Sequence, residues 1–325
     1  MYGRLGRLLR RCFGARSVPA ESAAPRGAPV AGLPQAAAPQ ASEAGASEFA
    51  LDLELRFFDW LLGETLLAGA GTAEEAQLLA HVDLVSRSEE MRKDLLPRAR
   101  SVIPELLHSL RDDNQSIRAL SARVAHDPNL VVEVIRMANT MGYRADSPVA
   151  DLMQAVSRLG TEGLRRAIAR VLLKPIFDAQ ADPLLARATQ RLWQHSELTA
   201  SLCLQQAPGA GLDPFESYLA GLVHNVGWTA VLRTIDRNPG GTPQRFSGAF
   251  VQALAPRRER LFALFVRSWE LSSTLTSLAQ EVIDVGFVDA HQPMAQLLRF
   301  ADRTACQQLL EPPDGSSPST DSAAV

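Results

Sequence analysis

Residues 213–228 read Asp213-Pro214-Phe215-Glu216-Ser217-Tyr218-Leu219-Ala220-Gly221-Leu222-Val223-His224-Asn225-Val226-Gly227-Trp228. Asp213 before Pro214 is a helix start: the carboxylate caps amides of the first turn, and proline fits where no N–H is needed. Stepping about 100° per residue, Phe215, Leu219, Leu222 and Val226 cover one side. The opposite side holds His224 among Ser217, Ala220, Gly221, Gly227 and Trp228. Such a helix has almost no polar face and is expected to be buried nearly all round. The small residues beside His224 let another helix approach closely. This is the reading of an all-α fold, and the rest of the chain repeats it.

The same punctuation recurs upstream. Asp127-Pro128, Ser147-Pro148 and Asp182-Pro183 each set a capping side chain before a proline suited to a first turn. Helix-period stripes follow: Leu130, Val134, Ile135, Ala138 and Met141; then Leu152, Val156 and Leu159, closed by Gly160; then Leu164, Ile168, Val171 and Leu172. Thr72 with Glu75 forms a capping box for a helix through about Arg87, and Leu51, Leu55, Phe58 and Leu62 mark one before it. Two-residue alternation is absent, so no strands are expected.

The chain has 325 residues, 46% of them hydrophobic, and a net charge of −3. No apolar run approaches the roughly 18 residues of a membrane span. The charge excludes a nucleic-acid partner of the usual basic kind. Cys12, Cys203 and Cys306 are odd in number and far apart, which suits a reducing cytoplasm and builds neither a disulfide framework nor a zinc ribbon.

Four regions are predicted. Residues 1–48 form a basic, then Ala/Pro-rich tail without enough to bury, and order begins near Phe49. Within that tail Arg4, Arg7, Arg10 and Arg11 share one side of a short amphipathic helix opposite Leu5, Leu8, Leu9, Cys12 and Phe13. Residues 1–16 therefore suit a weak contact with an anionic membrane surface; being Arg-rich and acid-poor they also resemble a mitochondrial transit peptide, and a disordered basic tail is the plain alternative. Residues 49–94 are a helical extension, 95–310 the main helical domain, and 311–325 a disordered Pro/Ser/Asp-rich tail.

Two histidines carry the candidate chemistry. His195 continues the apolar stripe Leu184, Ala188, Leu192, Thr199 and Leu202, so it points inward. His224 is followed by Asn225. A paired divalent-metal site built on His-Asp uses the carboxylate to supply charge and to bridge ions, whereas an amide offers a neutral oxygen.

Five segments in order carry a resemblance: Leu96-Pro97; Asp127-Pro128 through Ala138-Asn139; Ala155 through Leu159-Gly160; Trp193-Gln194-His195-Ser196; and Gly221 through Trp228. Over about Leu95 to Leu232 the chain resembles HDOD proteins, signalling-associated members of the HD-domain superfamily with a typically degenerate metal site. The resemblance implies a helical HDOD-like bundle and a metal site of His, His-Asp and a distal Asp. Here that set becomes His195, His224, Asn225 and, as a last member, Asp302. Trp228 stands where the family often has Lys, and residues 242–268 lack a histidine found in many relatives. Too few donors remain for a catalytic ion pair, so no metal and no cofactor are expected. The resemblance implies a non-enzymatic bacterial signalling or scaffold protein, with protein partners in signalling or motility control. Alternatives are a residual metal-dependent phosphohydrolase, and a passive module holding a nucleotide or cyclic dinucleotide.

Overall fold

The computed structural model describes residues 43–63, 66–67, 69–110, 117–140, 148–149, 151–177, 183–238, 243 and 245–311. Among them lie thirteen α-helices. α1 (Glu43–Leu62) and α2 (Ala73–Arg87) lead into α3 (Glu89–Leu95), α4 (Ala99–Leu110), α5 (Ile117–His126) and α6 (Pro128–Thr140). α7 (Leu152–Phe177), α8 (Pro183–Gln206), α9 (Pro214–Val223) and α10 (Val226–Asp236) follow, and α11 (Gly248–Trp269), α12 (Ser273–Val285) and α13 (Pro293–Leu310) close the fold. The fold is all-α, as expected.

Helix starts follow the sequence signals closely. The Thr72–Glu75 capping box is formed at α2. Asp127 Oδ1 accepts from Asn129 N at 2.8 Å at the start of α6, and Asp213 Oδ1 accepts from Glu216 N at 2.7 Å at the start of α9. Ser147-Pro148 is an exception, because α7 starts at Leu152 and Asp151 Oδ1 caps it by accepting from Gln154 N at 2.9 Å. Gly160 does interrupt the pattern: its φ of +64° kinks α7, a conformation glycine takes without a steric penalty. α1 starts at Glu43, earlier than Phe49: Glu43, Ala44, Ala46 and Glu48 favour helix enough to carry Gly45 and Ser47. Arg4, Arg7, Arg10 and Arg11, expected to contact a membrane surface, lie outside the described residues, as do residues 312–325.

One expectation is corrected. Leu66–Leu67 (β1) pairs in parallel with Phe246–Ser247 (β2). Two residues are too short to show alternation, so no periodicity could reveal them. A buried carboxylate supports the pairing: Glu75, 3% exposed, accepts from Ser247 N at 2.6 Å and Ser247 Oγ at 2.9 Å while also accepting from Thr72 N at 2.7 Å. One carboxylate thus joins the start of α2 to the start of α11.

Buried apolar side chains form two clusters. The larger runs from α1 to α13 and includes Phe58, Leu61, Leu222, Val226, Leu278 and Leu298. The smaller gathers α5, α6 and α7 around Val134, Leu164 and Ile168. The segment expected over 49–94 contributes Phe57, Phe58, Leu78 and Val82 to the larger cluster, without a break in packing at residue 95.

Close helix approach sets the centre. A Cβ at Gly221 would lie 2.5 Å from Ala200 Cα, so only glycine lets α9 sit this near α8. A Cβ at Gly227 would lie 2.2 Å from the Arg258 carbonyl oxygen, which fixes α10 against α11 in the same way.

Candidate functional site

The single helix read across 213–228 is two helices, with His224 and Asn225 in the turn between α9 and α10. Asn225 has φ −82° and ψ 10° and caps α10, its carbonyl accepting from Thr229 N at 3.0 Å and Thr229 Oγ1 at 3.1 Å. A turn here lets two adjacent side chains face different ways. His224 looks toward α13, and Asn225 looks toward α8.

Asn225 is 1% exposed. Its amide nitrogen donates to His195 Nδ1 at 2.8 Å and Ser196 Oγ at 2.9 Å, and lies 3.4 Å from the Leu192 carbonyl. Ser196 Oγ itself donates to that carbonyl at 3.1 Å, so it is free to accept from the amide. The amide therefore holds His195 as the tautomer with its hydrogen on Nε2. That nitrogen faces Asp302, 3.4 Å from the main-chain oxygen and 3.5 Å from Oδ1, and Cys306 Sγ at 3.3 Å. The ring packs on Phe57 at a centroid distance of 4.7 Å. Burial pushes the His195 imidazole down to about 4 against the pull of Asp302, so it is neutral near pH 7.

His224 Nε2 meets Asp302 Oδ1 at 2.9 Å. Its ring stacks on Phe287 at 5.5 Å and meets the Phe262 ring edge-to-face at 5.4 Å. Its Nδ1 is buried without a hydrogen-bond partner. Burial alone would raise the Asp302 carboxyl. The electrostatic pull and hydrogen bond of His224, with His195 and Arg258 behind them, outweigh it and hold the group well below the usual carboxylate range.

The structure thus brings together all four residues singled out in the sequence: His195 from α8, His224 and Asn225 from the turn, and Asp302 from α13. It adds three that sequence reading missed. Cys306 stands one turn after Asp302 on α13, and that four-residue spacing was the available signal. Arg258 on α11 is half-buried, held between Glu54 at 2.8 Å and Glu259 at 3.7 Å, with its guanidinium 4.8 Å from the Trp228 ring centre. Phe57 lies on α1. Trp228 is therefore a packing platform, in contact with Phe57 and Phe58 as well as Arg258.

A cavity of about 290 Å³ opens between α1, α11 and α13, lined by Glu54, His224, Arg258, Glu259, Asp302 and Cys306 among others. Exposed Val288 and Arg303 stand at its mouth. The set does not fit a pair of divalent ions. Asn225 turns its nitrogen into the protein and brings no charge, and Asp302 is the carboxylate within the His195–Asp302–Cys306 cluster.

A family model described as HDOD domain matches residues 96–284. A curated protein of Treponema pallidum (strain Nichols), named only as uncharacterized, is 23% identical over 138 residues, 42% of this chain and 26% of that protein. The matched stretch spans about a quarter of that relative's length. Among solved structures, a protein of Shewanella amazonensis SB2B provisionally named a metal-dependent phosphohydrolase gives a TM-score of 0.53 at 20% identity, over 71% of this chain and 82% of that one. An HDOD domain protein of unknown function from Geobacter sulfurreducens gives 0.47 at 20% identity, over 83% of each chain. These likenesses are of fold.

Proposed function

The chain belongs to the HDOD domain family, and on that premise we propose that it is a bacterial signalling module that works by recognising protein partners and does not hydrolyse phosphoesters. The observation that carries this reading is the direction of the Asn225 amide, whose nitrogen donates to His195 Nδ1 at 2.8 Å. A catalytic ion pair needs an anion at this position to bridge and neutralise its charge. Asp302 is already engaged by His224 at 2.9 Å. Partners in sensing, response regulation or motility control fit a rigid helical body of this kind, and the cytoplasm fits its free buried cysteines. Among the described residues no helix is long and apolar enough to cross a membrane.

Assaying the full chain against cyclic dinucleotides and generic phosphodiesters with Mn²⁺ or Mg²⁺ tests the reading. No turnover above background is expected. Turnover that His224→Ala abolishes would overturn it.

A second reading rests on the cavity. It is lined by both signs of charge, Arg258, Arg299 and Arg303 with Glu54, Glu259 and Asp302, an arrangement that suits a polar ligand such as a nucleotide held without turnover. Equilibrium binding of nucleotides and cyclic dinucleotides to the full chain separates this reading from the first.

A further inference from the structure

Three potential ligand atoms from two helices converge beneath the cavity. Cys306 Sγ is 3.3 Å from His195 Nε2, and His195 Nε2 is 3.5 Å from Asp302 Oδ1. All three ligand atoms lie within 4.8 Å of one another. A tetrahedral zinc ion with ordinary bonds to nitrogen, oxygen and sulfur separates its ligands by roughly 3.3–3.6 Å. Two of the three edges match that spacing, and the third, between Cys306 and Asp302, is no longer than 4.8 Å. We propose that His195, Asp302 and Cys306 form a site for a single soft divalent cation, Zn²⁺, in which the thiolate takes over the charge that Asn225 no longer supplies.

Charge decides the number of ions. One divalent cation with the Asp302 carboxylate, the Cys306 thiolate and a neutral His195 makes a centre of zero net charge, which a buried position tolerates. A second ion would leave two positive charges uncompensated. Softness decides the metal, because a thiolate favours Zn²⁺ over Mg²⁺, Mn²⁺ or Ca²⁺. On binding, the Cys306 S–H proton leaves to solvent as the sulfur–metal bond forms.

His195 must then offer the Nε2 lone pair and carry its hydrogen on Nδ1. Metal binding therefore has to turn the Asn225 amide over, so that its oxygen accepts from Nδ1–H and from the Ser196 hydroxyl; the turned oxygen then faces the Leu192 carbonyl, now 3.4 Å from the nitrogen, a cost that the bonds to the ion must outweigh. His224 hydrogen-bonds Asp302 Oδ1 at 2.9 Å and so orients the carboxylate from outside the coordination sphere. The fourth position faces the cavity lined by His224, Arg258 and Glu259, and water completes it. The ion would tie α8 to α13. Metal content reports occupancy and a phosphoester assay reports turnover, so either result stands without the other.

The test uses the full chain, stripped with chelator and titrated separately with Zn²⁺, Co²⁺ and Mg²⁺. A single zinc per chain should survive desalting and raise the melting temperature by several degrees, and Mg²⁺ should do neither. Co²⁺ should give a near-ultraviolet thiolate-to-cobalt charge-transfer band. Cys306→Ser should lose that band and weaken Zn²⁺ binding by at least the roughly 10- to 100-fold that removing an outer-shell partner costs. Cys203→Ser, which removes the other described cysteine, should keep both. Absence of stoichiometric zinc, a wild-type cobalt spectrum without the thiolate band, or a band that persists in Cys306→Ser would overturn the site. The wild-type spectrum decides the matter even if the serine variant folds poorly.

Discussion

Asn225 and His195 are joined by one hydrogen bond whose direction sets the chemistry around it: the amide nitrogen donates across 2.8 Å to Nδ1, leaving the imidazole hydrogen on Nε2. A carboxylate in the same place would accept instead of donate. An amide here differs from a carboxylate in charge and in the direction of its hydrogen bond alike.

An acid at position 225 should therefore harm the protein. In Asn225→Asp a carboxylate oxygen would face the Leu192 carbonyl, now 3.4 Å from a nitrogen, in a position 1% exposed. We expect a loss of about 1–3 kcal/mol near neutral pH, seen as a lower melting temperature that millimolar Mn²⁺ does not recover. A rise in melting temperature with Mn²⁺ in the variant but not the wild type would show a dormant two-ion centre.

The buried imidazole predicts an acid-sensitive fold in metal-free protein. His195 takes its proton at 6.5 when unfolded and at about 4 when folded. Between those values the unfolded chain binds more protons, so stability falls as pH drops through this window and levels off below it. The loss is on the order of 3 kcal/mol. Asp302, whose folded value is depressed, adds a further loss at lower pH. Urea unfolding of chelated protein at stepped pH checks this, and His195→Gln should flatten the slope between pH 6.5 and 4.

Gly221→Ala should be severe although it adds one methyl group. The new carbon would meet Ala200 Cα at 2.5 Å and Ala200 N at 2.6 Å, and backbone cannot step aside as a side chain can. A loss of about 3 kcal/mol or failure to fold is expected, measured by denaturant midpoint. A midpoint equal to wild type would mean that α8 and α9 are not this close in solution.

Glu75→Ala should destabilise by about 3 kcal/mol, because it leaves the buried Ser247 N–H without its acceptor and breaks the cap at Thr72. Glu75→Gln is expected to fall between the two, since the amide oxygen can keep only part of the set. Hydrogen exchange at Ser247 reads the effect locally and should quicken in both variants.

Much of the fold was legible in sequence because capping is local chemistry. Thr72–Glu75, Asp127 and Asp213 announce helix starts within a few residues of the observed ones, and Gly160 announces its kink. Ser147-Pro148 misled because Asp151, a cap without a following proline, lies only four residues on. The turn at His224–Asn225 was hidden for a different reason. Both helices flanking it are buried on nearly all sides, so the apolar pattern has no polar gap to mark the break. The paired strands were hidden by brevity. His195 and His224 were found by residue type and order, but Cys306 and Arg258 reach the site only through the packing of α13 and α11, which sequence distance conceals.

The matched family region starts at residue 96, yet Phe57 on α1 is the residue that lies against the His195 ring. Phe58 and Leu61 on the same helix are fully buried in the core that holds Leu222 and Val226. The stretch that evolution transmits as a recognisable unit is thus shorter than the stretch that must fold together. A protein trimmed to the inherited unit would keep His195, His224 and Asn225 but lose both Phe57, which packs on the His195 ring, and Asp302, which meets both imidazoles, so that water reaches an imidazole the intact chain keeps dry. Homology here marks where ancestry can be read, whereas the core that packs on the site already includes α1 (Glu43–Leu62), about fifty residues earlier.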